Sequence, residues 1–268
     1  MAPDRPSHGV HTWIGSSTSD SITVAGRDLP SELMGSLTLT ELTYLLVTRR
    51  EPTPSQRRIL DAVLVSLADH GLTPSALAAR LTYTGAPEAI QGAVAAGLLG
   101  AGSVLLGPAG DTAVFLAAAL PEDGGDENVL QRAAIEAVEG RRRAGLRVPG
   151  LGHPVHRVED PRTPRIYALA EAEDVLGPHL RLLRAVADAY EQASGHRLPI
   201  NGAGAAGAAL VDIGIPPASV RGVVLVARTA GLVAHLTEEA ETPIGMSLWH
   251  EAEGRAAPAG GPSASPST

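Results

Sequence analysis

The hydrophobic periodicity of this chain is helical almost throughout, and this feature most restricts its fold. From about Thr38 onward, apolar residues recur every three or four positions. Strand-like alternation, as at Ile22 and Val24, is confined to the first 28 residues. Aromatic residues make up only 3% of the chain, so the core must be filled by small aliphatic side chains that let helices approach closely. The pattern predicts an all-α fold.

Helix start and stop signals divide the chain into separate helices. Thr38-Leu39-Thr40-Glu41 has the spacing of a capping box at a helix start. The segment 87–106 is almost entirely small or apolar, which predicts a helix buried on all sides. Pro121 and two glycines predict a loop at 121–126, followed by an amphipathic helix at 129–143. Further helices are predicted at 111–120, 164–175, 178–194, 202–211 and 216–239.

Composition suggests three segments. Residues 1–28 form an extended N-terminal segment, and residues 29–253 form one helical domain. Residues 254–268 are rich in Gly, Pro, Ala and Ser, which predicts a disordered tail.

Charge and cysteine content exclude several classes of function. The formal net charge of -8 argues against a nucleic-acid partner. The cluster Arg141–Arg143 with Arg147 favours a solvated helix end, and a phosphate-contacting patch stays the alternative. With no cysteine, disulfides and thiol chemistry are excluded, which suits a reducing cytoplasm.

Neither targeting nor membrane signals are evident. The N-terminal residues MAPDRPSHGV lack the pattern of a signal peptide. The apolar segment 92–107 is shorter than the roughly 20 residues that cross a bilayer. The longer run 220–236 is interrupted by Arg221, Arg228 and His235. We therefore expect a cytoplasmic protein without a membrane partner.

The most unusual motif is Gly150-Leu151-Gly152-His153-Pro154-Val155-His156, followed by Asp160-Pro161-Arg162. Its glycines and prolines rule out a helix and predict a sharp loop. An imidazole in such a loop can donate to a carbonyl or carboxylate, and Arg162 can bind a carboxylate through two hydrogen bonds. A plain inter-helix loop with a surface histidine is an equally good interpretation of these residues alone.

Two further histidine motifs lie on helices. Asp69-His70-Gly71 closes an apolar helix, where a histidine that caps the helix end is the simpler explanation. Arg228, Gly231, His235 and Glu239 share one face of a long helix. A buried Arg228 would need an anionic partner, either the glutamate or a ligand carboxylate.

Metal and phosphate motifs are weak or missing. Gly100-Ala101-Gly102 and Gly202-Ala203-Gly204 have the spacing of phosphate-loop fragments, but no strand pattern precedes them. Glycines that allow close helix packing explain both better. The nine histidines are scattered, and no metal site is predicted.

Taken in order, these segments resemble the citrate synthase superfamily, most closely its short citryl-CoA lyase branch. The resemblance covers about residues 22–253 and is carried by residues 33–35, 44–46, 68–76, 79–80, 95–100, 150–156, 160–162, 198–201 and 227–235.

The resemblance implies a multi-helix bundle with a large and a small lobe, the small one at roughly 150–215, and a homodimer. It also implies a ligand that is a carboxylate or acyl thioester, with coenzyme A thioesters as possible substrates and no bound cofactor. The family joins or splits a thioester enolate and a keto acid, as a lyase or an acyl transferase. By position, the resemblance implies that His70 and His153 polarise the keto oxygen. The residues that it implies for ligand binding are Arg162, Arg228, His156 and Asn201.

One departure from the family pattern concerns catalysis directly. Where the family usually has Pro-x-Asn-Val-Asp-Gly, this chain reads Pro199-Ile200-Asn201-Gly202-Ala203-Gly204. Ala203 therefore stands at the position of the aspartate that moves the carbon proton, a role that contributes about 10²- to 10⁴-fold in rate. Asp111 and Glu239 are candidate substitutes. A changed reaction that needs only carbonyl polarisation, or a non-catalytic ligand-binding or partner subunit, would each fit this sequence.

Overall fold

The computed structural model describes residues 12–122 and 124–256, which form eleven α-helices and three short strands. The strands are β1 (Gly15–Ser17), β2 (Ile22–Val24) and β3 (Arg27–Asp28). The helices are α1 (Leu39–Thr48), α2 (Pro54–Ala68), α3 (Pro74–Gly85), α4 (Ile90–Gly100), α5 (Gly107–Ala119), α6 (Glu127–Arg143), α7 (Arg162–Ala172), α8 (Pro178–Ser194), α9 (Gly202–Asp212), α10 (Val220–Glu241) and α11 (Gly245–Arg255). The predicted all-α class is confirmed.

The strands form a small antiparallel sheet in the order β1-β2-β3, within the segment predicted as extended. Gly15 lies opposite Val24, and Thr23 lies opposite Asp28. A π-helical turn at Leu29–Leu33 follows β3, and the Asp28 carboxylate accepts a hydrogen bond from the amide of Ser31. No motif in the sequence predicted this turn.

The predicted capping box at the start of α1 is confirmed. The hydroxyl of Thr38 accepts from the amide of Glu41 at 3.2 Å, and the Glu41 carboxylate accepts from the amide of Thr38 at 2.8 Å. Two amides that the helix itself cannot satisfy are thereby paired.

The prediction of one helix at 87–106, buried on all sides, is wrong for the isolated chain. Helix α4 ends at Gly100 and a π-helical turn, Gly102–Leu106, follows. Leu99 and Val104 are each 83% exposed. The small residues are needed only on the side of α4 that packs against other helices. On that side, a Cβ on Gly97 would lie 2.7 Å from the side chain of Leu232. Close helix approach therefore explains the composition, without burial of the opposite side.

The chain divides by its internal contacts into two compact units. The first contains the described residues up to Ser66 together with Gly107–Val224, and the second contains Leu67–Leu106 together with the described residues from Leu225 onward. The small lobe expected at 150–215 lies wholly within the first unit. Of the tail expected from 254, residues 254 and 255 end α11, and residues 257–268 lie outside the described part.

Helix α9 is central to the first unit, where it contacts α5, α7 and α8. A Cβ on Gly207 would lie 2.2 Å from the carbonyl oxygen of Ala109 in α5. In the second unit, α3 packs against α4 and α11, around a core of Ala79, Ala93, Leu232 and Leu236.

Among the described residues, two helical stretches could cross a membrane by length and composition alone, Gly102–Ala119 and Pro217–Glu241. Core helices of soluble proteins pass the same test, so the absence of a membrane partner stays a prediction.

Candidate active site

In the first unit, the loop that carries His153 is fixed to the segment before α9. Leu151 and Ile200 form an antiparallel bridge. The amide of Gly152 donates to Pro199 at 2.7 Å, and the amide of Asn201 donates to the Gly150 carbonyl at 2.9 Å. Gly152 has a φ of +79°, in the left-handed region that favours glycine. The sharp loop predicted from the sequence is confirmed, and its glycine is needed for the backbone path.

The hydrogen bonds of His153 determine which of its ring nitrogens carries the proton. Its Nδ1 atom accepts from the amide of Val155 at 3.1 Å and from the amide of His156 at 3.0 Å. In the neutral ring the proton therefore lies on Nε2. The ring of His156 stacks on that of His153, with centroids 4.5 Å apart. His153 can consequently act as a hydrogen-bond donor through Nε2.

Arg162, at the start of α7, binds a carboxylate through two hydrogen bonds, and that carboxylate is Asp160. Its Nε atom donates to Asp160 Oδ1 at 2.9 Å and its Nη2 atom donates to Oδ2 at 2.7 Å. The Nη1 group lies outside this pair, so a contact with a ligand carboxylate through Nη1 stays a prediction. Sequence reasoning missed Asp160 as a site residue, although the Asp-Pro-Arg motif contained it.

The Asp160 carboxylate is fully buried and ionised. Burial alone would raise its pKa, but hydrogen bonds from the Arg162 side chain and from the amides of Gly202 and Arg162 outweigh burial and hold the pKa well below its ordinary value. The Gly202 amide donates to Oδ2 at 2.7 Å. One buried carboxylate thus joins α7 to the first residue of α9.

Asn201 caps helix α9. Its Oδ1 atom accepts from the amide of Gly204 at 2.8 Å, and its Nδ2 atom donates to the carbonyl of Gly152 at 2.8 Å. The side chain therefore fixes the start of α9 against the loop. Its expected role in substrate binding stays a prediction.

Ala203 is the second residue of α9. It is half-buried, whereas Gly202 and Gly204 on either side are buried. A carboxylate at this position would lie in the first turn of a helix, where the helix dipole stabilises negative charge. The helix start therefore favours the charge that the family pattern has at this position.

The second unit carries His70 and Arg228. His70 is exposed in the turn that follows α2, and Arg228 is 5% exposed on α10. The Asp69 carboxylate accepts from the amide of Gly71 at 2.9 Å, and the nearby amide of His70 helps to lower its pKa. Its Oδ1 atom lies 3.9 Å from Arg228 Nη1 and 2.8 Å from His235 Nε2. Asp69 was not predicted as a site residue from the sequence. Its position directly before His70 could have indicated that it contacts the site.

The face of α10 predicted to carry Arg228, Gly231, His235 and Glu239 has contacts along its whole length. A Cβ on Gly231 would lie 2.0 Å from the carbonyl oxygen of Ala68. Glu239 accepts from Arg80 Nη1 at 2.9 Å and from the Gly245 amide at 2.7 Å. Burial alone would raise the pKa of Glu239, but these hydrogen bonds and that from the Ile244 amide lower it. Glu239 is thus a structural partner of Arg80, which makes it unsuitable as a substitute base.

The predicted site residues are therefore divided between the units. His153, His156, Arg162, Asn201 and Ala203 lie on one loop and two helix starts of the first unit. The remaining two, His70 and Arg228, belong to the second unit, and the assignment of all seven to one ligand stays a prediction.

A helical fold with this loop, arginine and helix start defines a protein of the citrate synthase class. The family model described as citrate synthase, C-terminal domain, matches residues 22–246, and the chain belongs to this family. The family predicted by the resemblance is confirmed.

Among solved structures, citryl-CoA lyase from Hydrogenobacter thermophilus is similar with a TM-score of 0.83 and 28% identity, over 96% of both chains. Citrate synthase from Pyrobaculum aerophilum gives a TM-score of 0.58 and 26% identity, over 77% of this chain and 51% of that one. The fold is therefore citrate synthase-like, and it is similar to that of a citryl-CoA lyase.

Among curated relatives, putative citrate synthase 2 from Mycobacterium tuberculosis is 32% identical over 149 residues, which is 53% of this chain. The match spans only 36% of the length of that relative.

Proposed function

We propose that this protein binds a citryl-type carboxylate or its coenzyme A thioester and acts on it by polarising a keto or hydroxyl oxygen. The observation that carries the proposal is the pair of amide hydrogen bonds to His153 Nδ1, at 3.0 and 3.1 Å. They leave the ring proton on Nε2, which is the arrangement that a donor to a carbonyl oxygen requires. Similarity in fold to a citryl-CoA lyase supports this class of ligand.

Arg162 and Arg228 are the proposed carboxylate-binding residues, with His156 and Asn201 beside His153 and with His70 as a second polarising group. Two structures of the same fold support a ligand of this chemistry. The ATP citrate lyase from Methanothrix soehngenii is solved with citrate and coenzyme A, and that from Methanosaeta concilii is solved with (3S)-citryl-CoA.

Ala203 restricts the reaction. Cleavage of a citryl thioester breaks the bond between the thioester α-carbon and the hydroxyl-bearing carbon, and the hydroxyl proton must be removed. The electron pair of that bond forms the thioester enolate, whose carbon then takes up a proton. An alanine can neither donate nor accept this proton, so we expect only slow cleavage and favour a changed reaction that needs polarisation alone.

The same alanine favours the alternative, a ligand-binding or partner subunit without catalysis. The two proposals differ in product: the enzyme converts a bound thioester, whereas the subunit binds it unchanged. Incubation of the purified protein with citryl-CoA, followed by measurement of acetyl-CoA and free coenzyme A, distinguishes them.

We also propose that the protein is a cytoplasmic homodimer. The physical support is the apolar surface of the second unit, where Leu99 and Val104 are each 83% exposed. An aliphatic surface of this kind is typical of an interface between subunits.

Calorimetric titration with citrate, oxaloacetate and a panel of acyl-CoAs tests the ligand proposal. The informative variant is His153→Asn, because its amide oxygen can still accept from Val155 and His156 while the Nε2 donor is lost. We expect affinity for one of these ligands to fall about 10-fold. His196→Asn, at an exposed position, should bind as the wild type does. If the wild type binds none of the panel, the proposal fails.

A further inference from the structure

A buried group of hydrogen-bonded charges in the second unit is centred on Arg80, which is 2% exposed. Its Nη1 atom donates to Glu239 at 2.9 Å, and its Nη2 atom also contacts Glu238. The same guanidinium donates to His235 Nδ1, from Nε at 3.2 Å and from Nη2 at 3.1 Å. Arg80 thus has carboxylate partners and, in addition, an imidazole.

Arg80 determines the proton position on His235. A guanidinium has donors only, so Nδ1 of His235 must be the acceptor. The proton of the neutral ring then lies on Nε2, which is 2.8 Å from Asp69 Oδ1. The hydrogen bonds therefore run in one direction, from Arg80 through His235 to Asp69.

The hydrogen bond from His235 orients the Asp69 carboxylate, and this carboxylate in turn contacts the backbone of the turn at His70. The carboxylate accepts from the amide of Gly71, directly after His70, and closes the turn after α2. Gly71 has a φ of +73°, which completes the tight turn. Burial raises the pKa of Asp69, but the hydrogen bonds from Gly71, His235 and His70 lower it overall, so the carboxylate is ionised at neutral pH.

We propose that Arg80, His235 and Asp69 are positioning residues that set the conformation of the turn at His70. The proposal rests on the polarising role given to His70 above. Arg228 belongs to the same arrangement, because its Nη1 atom lies 3.9 Å from the Asp69 Oδ1 atom that accepts from His235. The carboxylate that closes the turn at His70 is thus also the ion-pair neighbour of Arg228.

A purely structural role would not need His235. Glu239 and Glu238 already neutralise Arg80. Asp69 could close a local turn alone, as aspartates at helix ends commonly do, and its side chain is 50% exposed. What His235 adds is a fixed orientation of the Asp69 carboxylate.

The test compares His235→Phe with His235→Gln. Phenylalanine keeps the ring and loses both nitrogens, whereas the glutamine amide offers an acceptor to Arg80 and a donor to Asp69. His250→Phe, at an exposed position of the same unit, is the matched control. Nitrogen NMR of wild-type His235 should show the neutral ring with its proton on Nε2.

Two measurements on the whole chain then report on the turn and on the site. In His235→Phe, hydrogen exchange of the Gly71 amide should become about 10- to 100-fold faster, because its acceptor is no longer oriented. Affinity for citrate or oxaloacetate should fall about 10-fold in this variant. His235→Gln should recover most of both losses, and His250→Phe should show neither.

Each result bears on the proposal separately from the proposed function. If the wild type binds no ligand, the proposed function fails, and amide exchange still tests the positioning of the turn. Unchanged exchange at the Gly71 amide in folded His235→Phe overturns the positioning role. Faster exchange with unchanged ligand affinity overturns its link to the site. Should His235→Phe fail to fold, Asp69→Asn replaces it, because this half-exposed residue can be changed without opening the core.

Discussion

Gly204, in the first turn of α9, lies against the backbone of Gly150 in the histidine loop. A Cβ built on Gly204 would be 2.5 Å from the Cα atom of Gly150 and 2.8 Å from its carbonyl oxygen. Backbone atoms cannot rotate out of the way as a side chain can. The loop that carries His153 and the helix that carries Ala203 can therefore approach this closely only because position 204 is glycine.

Gly204→Ala should destabilise the protein by about 1–3 kcal/mol through this overlap, although alanine is the better helix former. Gly222→Ala is the matched control on α10, because a Cβ there meets nothing within 4 Å. It should stabilise the protein by about 0.5–1 kcal/mol. Urea unfolding of the wild type, Gly204→Ala and Gly222→Ala checks that the first substitution lowers the free energy of unfolding and the second raises it. Equal stability of the two variants would contradict the close approach.

Asp160→Asn should destabilise the first unit by about 2–4 kcal/mol at neutral pH, because it removes the buried charge that Arg162 binds. The half-buried Arg162 would keep hydrogen-bond partners but lose its counter-ion. The measurement is urea unfolding at pH 7. Glu191→Gln is the control, since its ion pair with Arg197 is solvent-exposed and 3.2 Å long and should contribute little.

The stability difference between wild type and Asp160→Asn should depend on pH. The pKa of Asp160 is lowered in the folded protein, whereas in the unfolded chain it is about 3.9. The wild type therefore keeps its extra free energy of unfolding over Asp160→Asn above about pH 4. It loses this difference as the pH falls toward the lowered pKa of the folded state. Urea unfolding measured at pH 7, 5, 4 and 3 should show that the difference in free energy of unfolding between the two proteins decreases only at the lowest pH values. A difference at pH 3 as large as at pH 7 would show that the ionised carboxylate is not its source.

The sequence predicted local structure best where a single side chain determines it. The capping box at Thr38 and Glu41 depends on two residues three positions apart, and both predicted hydrogen bonds are present. The shared face of α10 follows from helical geometry alone. By contrast, the break after Gly100 depends on which side of α4 packs against α3, and that information lies in distant residues.

The sequence predicted which residue types form the candidate site, but not which of them pair with each other. An arginine that binds a carboxylate was predicted at 162, but the sequence could not say that Asp160 is the carboxylate, because the pairing depends on the turn between them. The role of Arg80 was equally hidden. Its partners are His235 and Glu239, more than 150 residues away along the chain.

Sedimentation at micromolar concentration should give a dimer, as the resemblance implies. Leu99→Glu should weaken association at least about 10-fold, because burying an unpaired carboxylate in an apolar interface is costly. Val65→Glu is the matched control, at a residue of the first unit that is 78% exposed. A monomeric wild type, or equal association of both variants, would contradict the proposed interface.

Ala203→Asp should give a measurable gain in citryl-CoA cleavage over a wild type that has almost none. The position lies in the first turn of α9, where a carboxylate is stabilised by about 0.3–1 kcal/mol, so the variant should fold at least as well as the wild type. The rate is measured as acetyl-CoA released, and a restored acid-base group would raise it by up to about 10²- to 10⁴-fold.

Ala203→Asn is the control for this gain, since it adds the same volume without a group that can carry the proton. If the aspartate acts as the family pattern implies, activity should appear in Ala203→Asp and not in Ala203→Asn. The gain should also require His153, so that adding His153→Asn to Ala203→Asp abolishes it. Robust cleavage by the wild type would point to another proton carrier, and the exposed Asp111 on α5 would be tested first. If Ala203→Asp binds the thioester and still does not cleave it, the rest of the site serves other chemistry or binding alone.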